Sequence, residues 1–192
     1  MVNYPKGIKK TGSTKITSTS GRGMDLENEI NVTNAYYREE KIAVIHKKPT
    51  PITIVHVDYP KRSAAKITEA YFKIPSTTDY NGIYRGKYID FEAKECASKT
   101  SFPLNSIHEH QIEHLDQVLT HGAIAFVIIR FTTLEETFLV DARKMIDFYY
   151  DGSRKSIPHS WFKKEAKLIK TTYLKPVDYL EVVDELYFEK EV

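Results

Sequence analysis

Two carboxylates and a lysine are the residues of this 192-residue sequence whose types and spacing best suit chemistry. Glu92 and Lys94 are two residues apart on a predicted strand, so they share one face and lie about 7 Å apart. Asp79 precedes that strand and can return beside them across a predicted hairpin. Carboxylate oxygens bind hard divalent cations, and a lysine can assist an attacking water or neutralise developing charge. The three residues predict metal-assisted hydrolysis of a phosphodiester. A salt-bridged surface is the alternative that the pattern leaves open.

The predicted hairpin, residues 75–94, must position these side chains. Its turn is predicted at Asn81-Gly82, because this pair tolerates positive φ at both central positions. The residues after the turn alternate between apolar and polar types, which predicts a half-buried strand at the edge of a sheet. The core-facing positions are Ile89, Phe91 and Ala93. The outward-facing positions are Tyr88, Asp90, Glu92 and Lys94.

Two other stretches contain residue types that could do chemistry. Residues 110–114 (HQIEH) match the H-x-x-E-H pattern of some zinc peptidases, which places both histidines on one face of a helix. So short a pattern recurs by chance, and a polar helix face beside a different site explains it better. Cys96 has no histidine or asparagine motif that would activate it, so we interpret it as a small passive side chain.

Composition limits the class of protein. The length suits one domain with a substantial core. The single cysteine excludes an intrachain disulfide and favours a cytoplasmic location. No run of 18 apolar residues exists, so no membrane span is predicted. Residues 1–23 hold five basic residues and no acidic one, without hydrophobic periodicity. They predict a flexible arm that binds a polyanion or, alternatively, a solubilising tail.

The remaining residues, 24–192, are predicted to form one α/β domain. A helical period starts at Met24 and continues through Leu26, Ile30, Thr33 and Tyr37. Ser106 and Glu109 match a capping box that opens a second helix, to about Leu119. Strands are predicted at 42–46, 52–57, 88–94, 123–131 and 136–140, and C-terminal helices around 161–162 and 179–183. This order of elements predicts a mixed sheet flanked by helices.

Residues 58–73 interleave basic and aromatic side chains and lack the apolar content of a core element. They predict a projection from the sheet, whose cations contact phosphates and whose rings stack on bases. An ordinary polar loop is the alternative. The side chains expected to contact nucleic acid here are Lys61, Arg62, Lys66, Phe72 and Lys73.

Several longer stretches resemble the RecU family of Holliday junction resolvases, found in Gram-positive bacteria and their phages. They are GRGMDLE (21–27), IAVIHKKPTPI (42–52), VDYPKR (57–62), EAYFKIPSTTDYNGIY (69–84), YIDFEAKE (88–95), KTSFPL (99–104) and HEHQIEHL (108–115). The resemblance implies the PD-(D/E)xK nuclease fold, a homodimer and dependence on Mg²⁺, for which Mn²⁺ substitutes. It also implies paired symmetric nicking of four-way junction DNA in recombination and repair, and modulation of the RecA recombinase.

The resemblance also implies roles for individual residues. The metal ligands would be Thr77, Asp79, Glu92 and Gln111, and Lys94 would stabilise the transition state. Residues 57–73 would form a stalk that engages the junction, and Arg22 of the arm would also contact DNA. One stretch departs from the family pattern, ECASK at 95–99, which we expect to affect DNA contact at most.

Two alternatives to a resolvase stay open on the sequence. One is a junction-binding accessory protein that keeps the fold without the chemistry. The other is a general endonuclease of duplex DNA. Dependence of nicking on a divalent ion separates the first from a resolvase, and preference for branched DNA separates the second.

Overall fold

The computed structural model describes residues 25–73 and 76–188. Met24, the predicted arm and its Arg22 lie outside the described residues, as does the side chain of Arg62. In chain order the elements are α1 (Leu26–Glu39), β1 (Val44–Lys47), β2 (Ile52–Asp58), β3 (Lys66–Phe72), β4 (Tyr80–Tyr84), β5 (Lys87–Cys96), β6 (Ser101–Pro103), α2 (Glu109–Thr120), β7 (Ile124–Phe131), β8 (Glu136–Asp141), α3 (Ala142–Asp151), β9 (Ser156–Pro158), α4 (His159–Glu165), β10 (Lys167–Leu168) and α5 (Tyr179–Tyr187).

Six strands form the central sheet, in the order β1-β4-β5-β7-β8-β10. The β5–β7 pair is parallel and the other neighbours are antiparallel, so the sheet is mixed. Strand β7 is buried on both faces, as its continuous apolar run predicts. Ile124, Phe126 and Ile128 pack with α1 and α5, whereas Ala125, Val127 and Ile129 pack with α2, α3 and α4. The predicted mixed sheet flanked by helices is therefore confirmed.

Helix α1 follows the predicted hydrophobic period. Leu26, Ile30, Thr33 and Tyr37, the four residues of that period, are all buried. The Asp25 side chain accepts a hydrogen bond from the Asn28 N–H and so satisfies one of the unpaired donors at the start of the helix. Because the apolar side chains recur at helical spacing, the sequence was sufficient to place this element.

The turn between β4 and β5 is not where the sequence predicted it. Asn81 and Gly82 lie inside β4, and the chain reverses at Arg85-Gly86, whose φ angles are 47° and 76°. Gly82 is required for a different reason, since a Cβ there would lie 2.1 Å from the Val44 carbonyl oxygen. The missing side chain lets β1 approach β4, so this glycine marks a close backbone contact.

The prediction of a half-buried edge strand is also wrong. Strand β5 lies between β4 and β7, in the middle of the sheet. Ile89 and Phe91 face the α1–α5 side, as expected for core positions. On the opposite face α2 covers the strand, and the Asp90 and Glu92 side chains there are fully buried. Alternation shows which residues share a face, but it does not show that a helix covers the polar one.

Strands β2 and β3 form a separate antiparallel ribbon, Ile52–Phe72, that is not part of the central sheet. Every residue of both strands is exposed. The alternative of an irregular loop at 58–73 is therefore wrong for residues 66–72, which are a regular strand. Residues 52–57 do form a strand, as predicted, but they pair with β3 through a bulge at Val55 and not with the sheet.

Helix α2 begins later than the predicted capping box. Ser106 ends a short 3-10 turn that starts at Leu104, and the first helical residue is Glu109. The Gln111 side chain accepts a hydrogen bond from the His108 N–H, so the capping pair is His108 with Gln111. The predicted helices around residues 161–162 and 179–183 are confirmed as α4 and α5. Helix α3 and the β6–β9 pair were not predicted.

Candidate active site

The structure brings Asp79, Glu92 and Lys94 together on the α2 side of the sheet. The backbone N–H of Asp79, the residue before β4, donates to Glu92 Oε2 at 3.1 Å. Lys94 Nζ lies 2.5 Å from Glu92 Oε1. Strand β5 supplies Glu92 and Lys94, and its antiparallel pairing with β4 returns Asp79 beside them, as the sequence predicted.

Burial controls the electrostatics of Glu92. Loss of water raises the pKa of this carboxyl to about 8; Lys94 opposes the shift and the Asp79 carboxylate adds to it. Although Lys94 Nζ is close, no hydrogen bond of suitable geometry reaches the buried Oε1 atom. A buried carboxylate oxygen without a hydrogen bond, next to a second carboxylate, is a place where a further positive charge would be stabilised.

The donor set fits a hard divalent cation such as Mg²⁺. Two carboxylates are too few for a fully protein-built cage, and within residues 25–73 and 76–188 no group of three His, Cys, Asp or Glu side chains is arranged to hold a metal. Mg²⁺ commonly binds through one or two carboxylates and keeps several waters, so Asp79 and Glu92 suffice.

The two neutral ligands that the resemblance implies have other hydrogen bonds. The Gln111 Oε1 atom accepts from the His108 N–H at 3.0 Å, and the Thr77 hydroxyl donates to the Thr78 carbonyl at 3.3 Å. Neither side chain hydrogen-bonds to Asp79 or Glu92. Gln111 is nevertheless buried in the first turn of α2, the helix that covers this face of β5. The roles of Thr77 and Gln111 as ligands stay predictions.

The raised pKa of Glu92 predicts how stability depends on pH when no metal is present. Between its usual pKa of 4.5 and about 8, the folded protein keeps this carboxyl protonated whereas the unfolded chain ionises it. The folded state binds more protons in that window, so in EDTA the free energy of unfolding should fall as pH rises, by up to about 1.4 kcal/mol per pH unit. Urea unfolding of wild type and Glu92→Gln from pH 5 to 8 measures this. An equal pH dependence in both proteins would contradict the prediction.

A second buried carboxylate, Asp90, lies next to the candidate site, and the sequence pattern did not single it out. Lys48 Nζ and the Tyr88 hydroxyl donate to Asp90 Oδ2 at 2.8 Å and 2.9 Å, and the Thr78 hydroxyl donates to Oδ1. His114 Nε2 lies 3.2 Å from Oδ2. Burial raises the pKa of Asp90, but the contacts with His114, Lys48 and Thr78 outweigh that effect and lower it below its usual value. Asp90 therefore stays ionised.

This network holds the segment that carries Asp79. Lys48 also donates to the Thr78 hydroxyl at 2.9 Å, and its own N–H donates to the Asp79 carbonyl at 2.7 Å. Thr78 thus contacts both members of the Lys48–Asp90 ion pair, one residue before Asp79. The burial of Asp90 was the missing information, since a charged residue that is fully buried needs a partner.

Among residues 25–73 and 76–188, the histidines of the H-x-x-E-H match belong to no group of three His, Cys, Asp or Glu side chains arranged to hold a metal. His114 contacts Asp90, and the His110 ring stacks on that of His108 with centroids 5.5 Å apart. The interpretation of this stretch as a helix face beside another site agrees with these contacts. Burial raises the pKa of the Cys96 thiol, which disfavours the reactive thiolate.

Apart from Arg22, which is outside the described residues, the residues predicted to contact nucleic acid lie on or next to the β2–β3 ribbon. Lys61, Lys66, Phe72 and Lys73 are all exposed, and Phe72 is 84% exposed. The base of the ribbon adjoins the site, because one groove is lined by Lys48, Pro51, Thr77 and Asp79 together with their neighbours. An exposed aromatic ring among lysines is suited to a nucleic acid, but contact with DNA stays a prediction.

Comparison with known proteins identifies the family. The family model RecU, described as recombination protein U, matches residues 21–185. A protein of Oceanobacillus iheyensis named Holliday junction resolvase RecU is 55% identical over 196 aligned positions, covering 97% of this chain and 100% of the relative. Proteins of the same name from a Geobacillus strain and from Geobacillus kaustophilus are 57% and 52% identical, and the alignments cover 96% and 98% of this chain.

No described helix is both long and apolar enough to cross a membrane.

The family match covers the whole central sheet, the Asp79–Glu92–Lys94 site and the β2–β3 ribbon. The chain therefore belongs to the RecU family.

Proposed function

We propose that this protein resolves Holliday junctions by divalent-metal-dependent hydrolysis at Asp79, Glu92 and Lys94. The protein is a crossover junction endodeoxyribonuclease that acts in homologous recombination. The observation that carries the chemistry is the buried Glu92 carboxylate, held by Asp79 on one side and Lys94 on the other. A carboxylate just before β4, and a carboxylate and a lysine on the neighbouring β5 of a mixed sheet flanked by helices, also support the PD-(D/E)xK assignment.

The residues of the proposed site have different roles. Asp79 and Glu92 would hold Mg²⁺, or Mn²⁺ in its place, with Thr77 and Gln111 as further oxygen donors. A bound ion would polarise the scissile phosphate and make the attacking water more acidic. The Lys94 ammonium group lies beside Glu92, where it would neutralise charge that develops on the phosphate oxygens. Because β5 is central and covered by α2, these groups are preorganised.

Paired nicks imply a homodimer. Each described chain contains one such site, whereas resolution of a four-way junction needs two cuts. A two-fold dimer places two identical sites on a substrate of the same symmetry. The exposed β2–β3 ribbon would act as the stalk, with Lys61, Arg62, Lys66, Phe72 and Lys73 on DNA, and the arm with Arg22 would add salt-dependent affinity. Modulation of RecA and a cytoplasmic location belong to the same proposal.

Metal-dependent cleavage of branched DNA tests the proposed function. A mobile four-way junction and a linear duplex of the same arm sequence are incubated with the protein in Mg²⁺ or in EDTA. We expect paired symmetric nicks in the junction with Mg²⁺, none with EDTA, and an intact duplex. Cutting of the duplex at a comparable rate would indicate a general endonuclease. Tight junction binding without nicks in either Mg²⁺ or Mn²⁺ would indicate a non-catalytic accessory protein.

A further inference from the structure

Two segments without acidic residues form one surface of the molecule. Residues 96–108 and 152–164 together hold five of the chain's 28 lysines and arginines and none of its 26 acidic residues. Although about 50 residues separate them, they pair through β6 and β9. The pairing is extended by hydrogen bonds from the His159 N–H to the Thr100 carbonyl at 2.8 Å and from the Leu104 N–H to the Lys155 carbonyl at 3.0 Å. The fold therefore concentrates positive charge here.

Three cations on this surface have no acidic partner among the described residues. Lys99, Arg154 and Lys155 are exposed, and their side chains form no ion pair there. By contrast, Lys167 and Lys170, which follow α4 in the chain, each lie 2.5 Å from a glutamate. Exposed cations that are not neutralised by the protein attract an external polyanion. We name Lys99, Arg154 and Lys155 the β6–β9 surface.

The β6–β9 surface rests on the hydrophobic core. Phe102 of β6 and Ile157 of β9 are fully buried, and they belong to the same apolar cluster as Ile112 and Leu115 of α2. The loops that carry the three cations are therefore attached to strands that pack with the helix covering the active site. A rigid basic surface positions a phosphate backbone more accurately than a flexible tail does.

Lys99 of the β6–β9 surface is also close in the chain to Lys94 of the proposed active site. Lys99 follows Lys94 by five residues, which limits their Cα separation to about 17 Å. From β6 the chain continues through the 3-10 turn Leu104–Ser106 to His108 and the first turn of α2. The β2–β3 ribbon leaves the sheet between β1 and β4, on one side of β5, whereas α4 packs against β8 and β10 on the other side. Basic regions therefore flank the catalytic strand.

We propose that the β6–β9 surface binds the phosphate backbone of the duplex arm next to the scissile phosphate, on the side opposite the ribbon. The inference rests on the proposed function, because it places a bound duplex at Lys94. Its ligand is the sugar-phosphate backbone, so the contact positions the arm without reading its sequence. It gives the substrate a second point of attachment beyond the ribbon.

Removal of the two adjacent cations tests this inference. The variant Arg154→Gln/Lys155→Gln is compared with Lys41→Gln/Lys87→Gln, which removes two exposed charges at other places. Junction affinity is measured in EDTA over a series of salt concentrations, so that no cleavage occurs. We expect the first variant to bind the junction about 10-fold more weakly than wild type. The slope of the logarithm of the binding constant against the logarithm of salt concentration should also be smaller in magnitude by about 2, because each lost phosphate contact reduces that slope by nearly 1. The control variant should stay within about twofold of wild type.

The outcomes separate this inference from the proposed function. With Mg²⁺ and saturating protein, the control variant Lys41→Gln/Lys87→Gln should nick the junction at the wild-type rate, because both residues lie outside the active site and outside the β6–β9 surface. Equal affinity and salt slope in both variants would overturn the β6–β9 surface, even if nicking proceeds normally. Absence of nicking in wild type would overturn the proposed function, while a lower slope in the first variant alone would still support the surface.

Discussion

Replacement of Lys94 by methionine should reduce junction nicking by about 100- to 1,000-fold, the range found when one preorganised charge-stabilising donor is lost. Lys94 Nζ lies 2.5 Å from Glu92 Oε1. Under the proposed function, its ammonium group neutralises charge that develops on the scissile phosphate. Methionine keeps a similar length and removes only the charge and the donors. Single-turnover nicking of a junction in Mg²⁺, at saturating protein, measures the chemical step.

Junction affinity should change by no more than about twofold in the same variant, because Lys94 is one partly buried cation and the exposed cations dominate phosphate binding. Lys87→Met is the matched control, since Lys87 begins the same strand whereas Lys94 lies near its end. Lys87→Met should nick at the wild-type rate. Nicking by Lys94→Met within threefold of wild type would remove Lys94 from the mechanism, and equal loss in both variants would indicate a general effect on β5.

The grouping of Asp79, Glu92 and Lys94 could be predicted because it depends on local patterns. Alternation on β5 places Glu92 and Lys94 on one face whatever surrounds the strand. The burial of this face could not be predicted, because the helix that covers it, α2, begins only at Glu109, later in the chain. Long-range packing also explains why the hairpin turn was wrongly predicted at Asn81-Gly82. Gly82 looks like a turn residue locally, and its real constraint comes from the Val44 carbonyl of a neighbouring strand.

The adjacent pair Lys47 and Lys48 shows the same limit at the scale of one residue. The two lysines have identical local sequence character, yet Lys47 pairs with the exposed Glu27 while Lys48 pairs with the buried Asp90. Successive side chains at the end of β1 point to opposite faces, so a shift of one residue separates surface from interior. Neither composition nor charge distinguishes them; the strand's exact end does.

That difference leads to a prediction for stability. Lys48→Met should lower the free energy of unfolding by about 3 kcal/mol, because it leaves the fully buried Asp90 carboxylate without its lysine partner. Lys47→Met should change it by less than about 1 kcal/mol, since its ion pair with Glu27 is exposed and screened by solvent. Urea unfolding of both variants at pH 7 in EDTA gives the comparison.

The double variant Lys48→Met/Asp90→Asn identifies the cause of the loss. If the uncompensated charge is responsible, removal of the Asp90 charge should recover part of the stability that Lys48→Met loses, and the two substitutions should not be additive. Additive losses would show instead that Lys48 acts through packing alone. Lys48 and Asp90 both contact Thr78, the residue before Asp79. Loss of the Lys48–Asp90 ion pair should therefore also make the segment that carries Asp79 less rigid. We therefore expect Lys48→Met to lower both stability and nicking, although neither Lys48 nor Asp90 is among the predicted metal ligands.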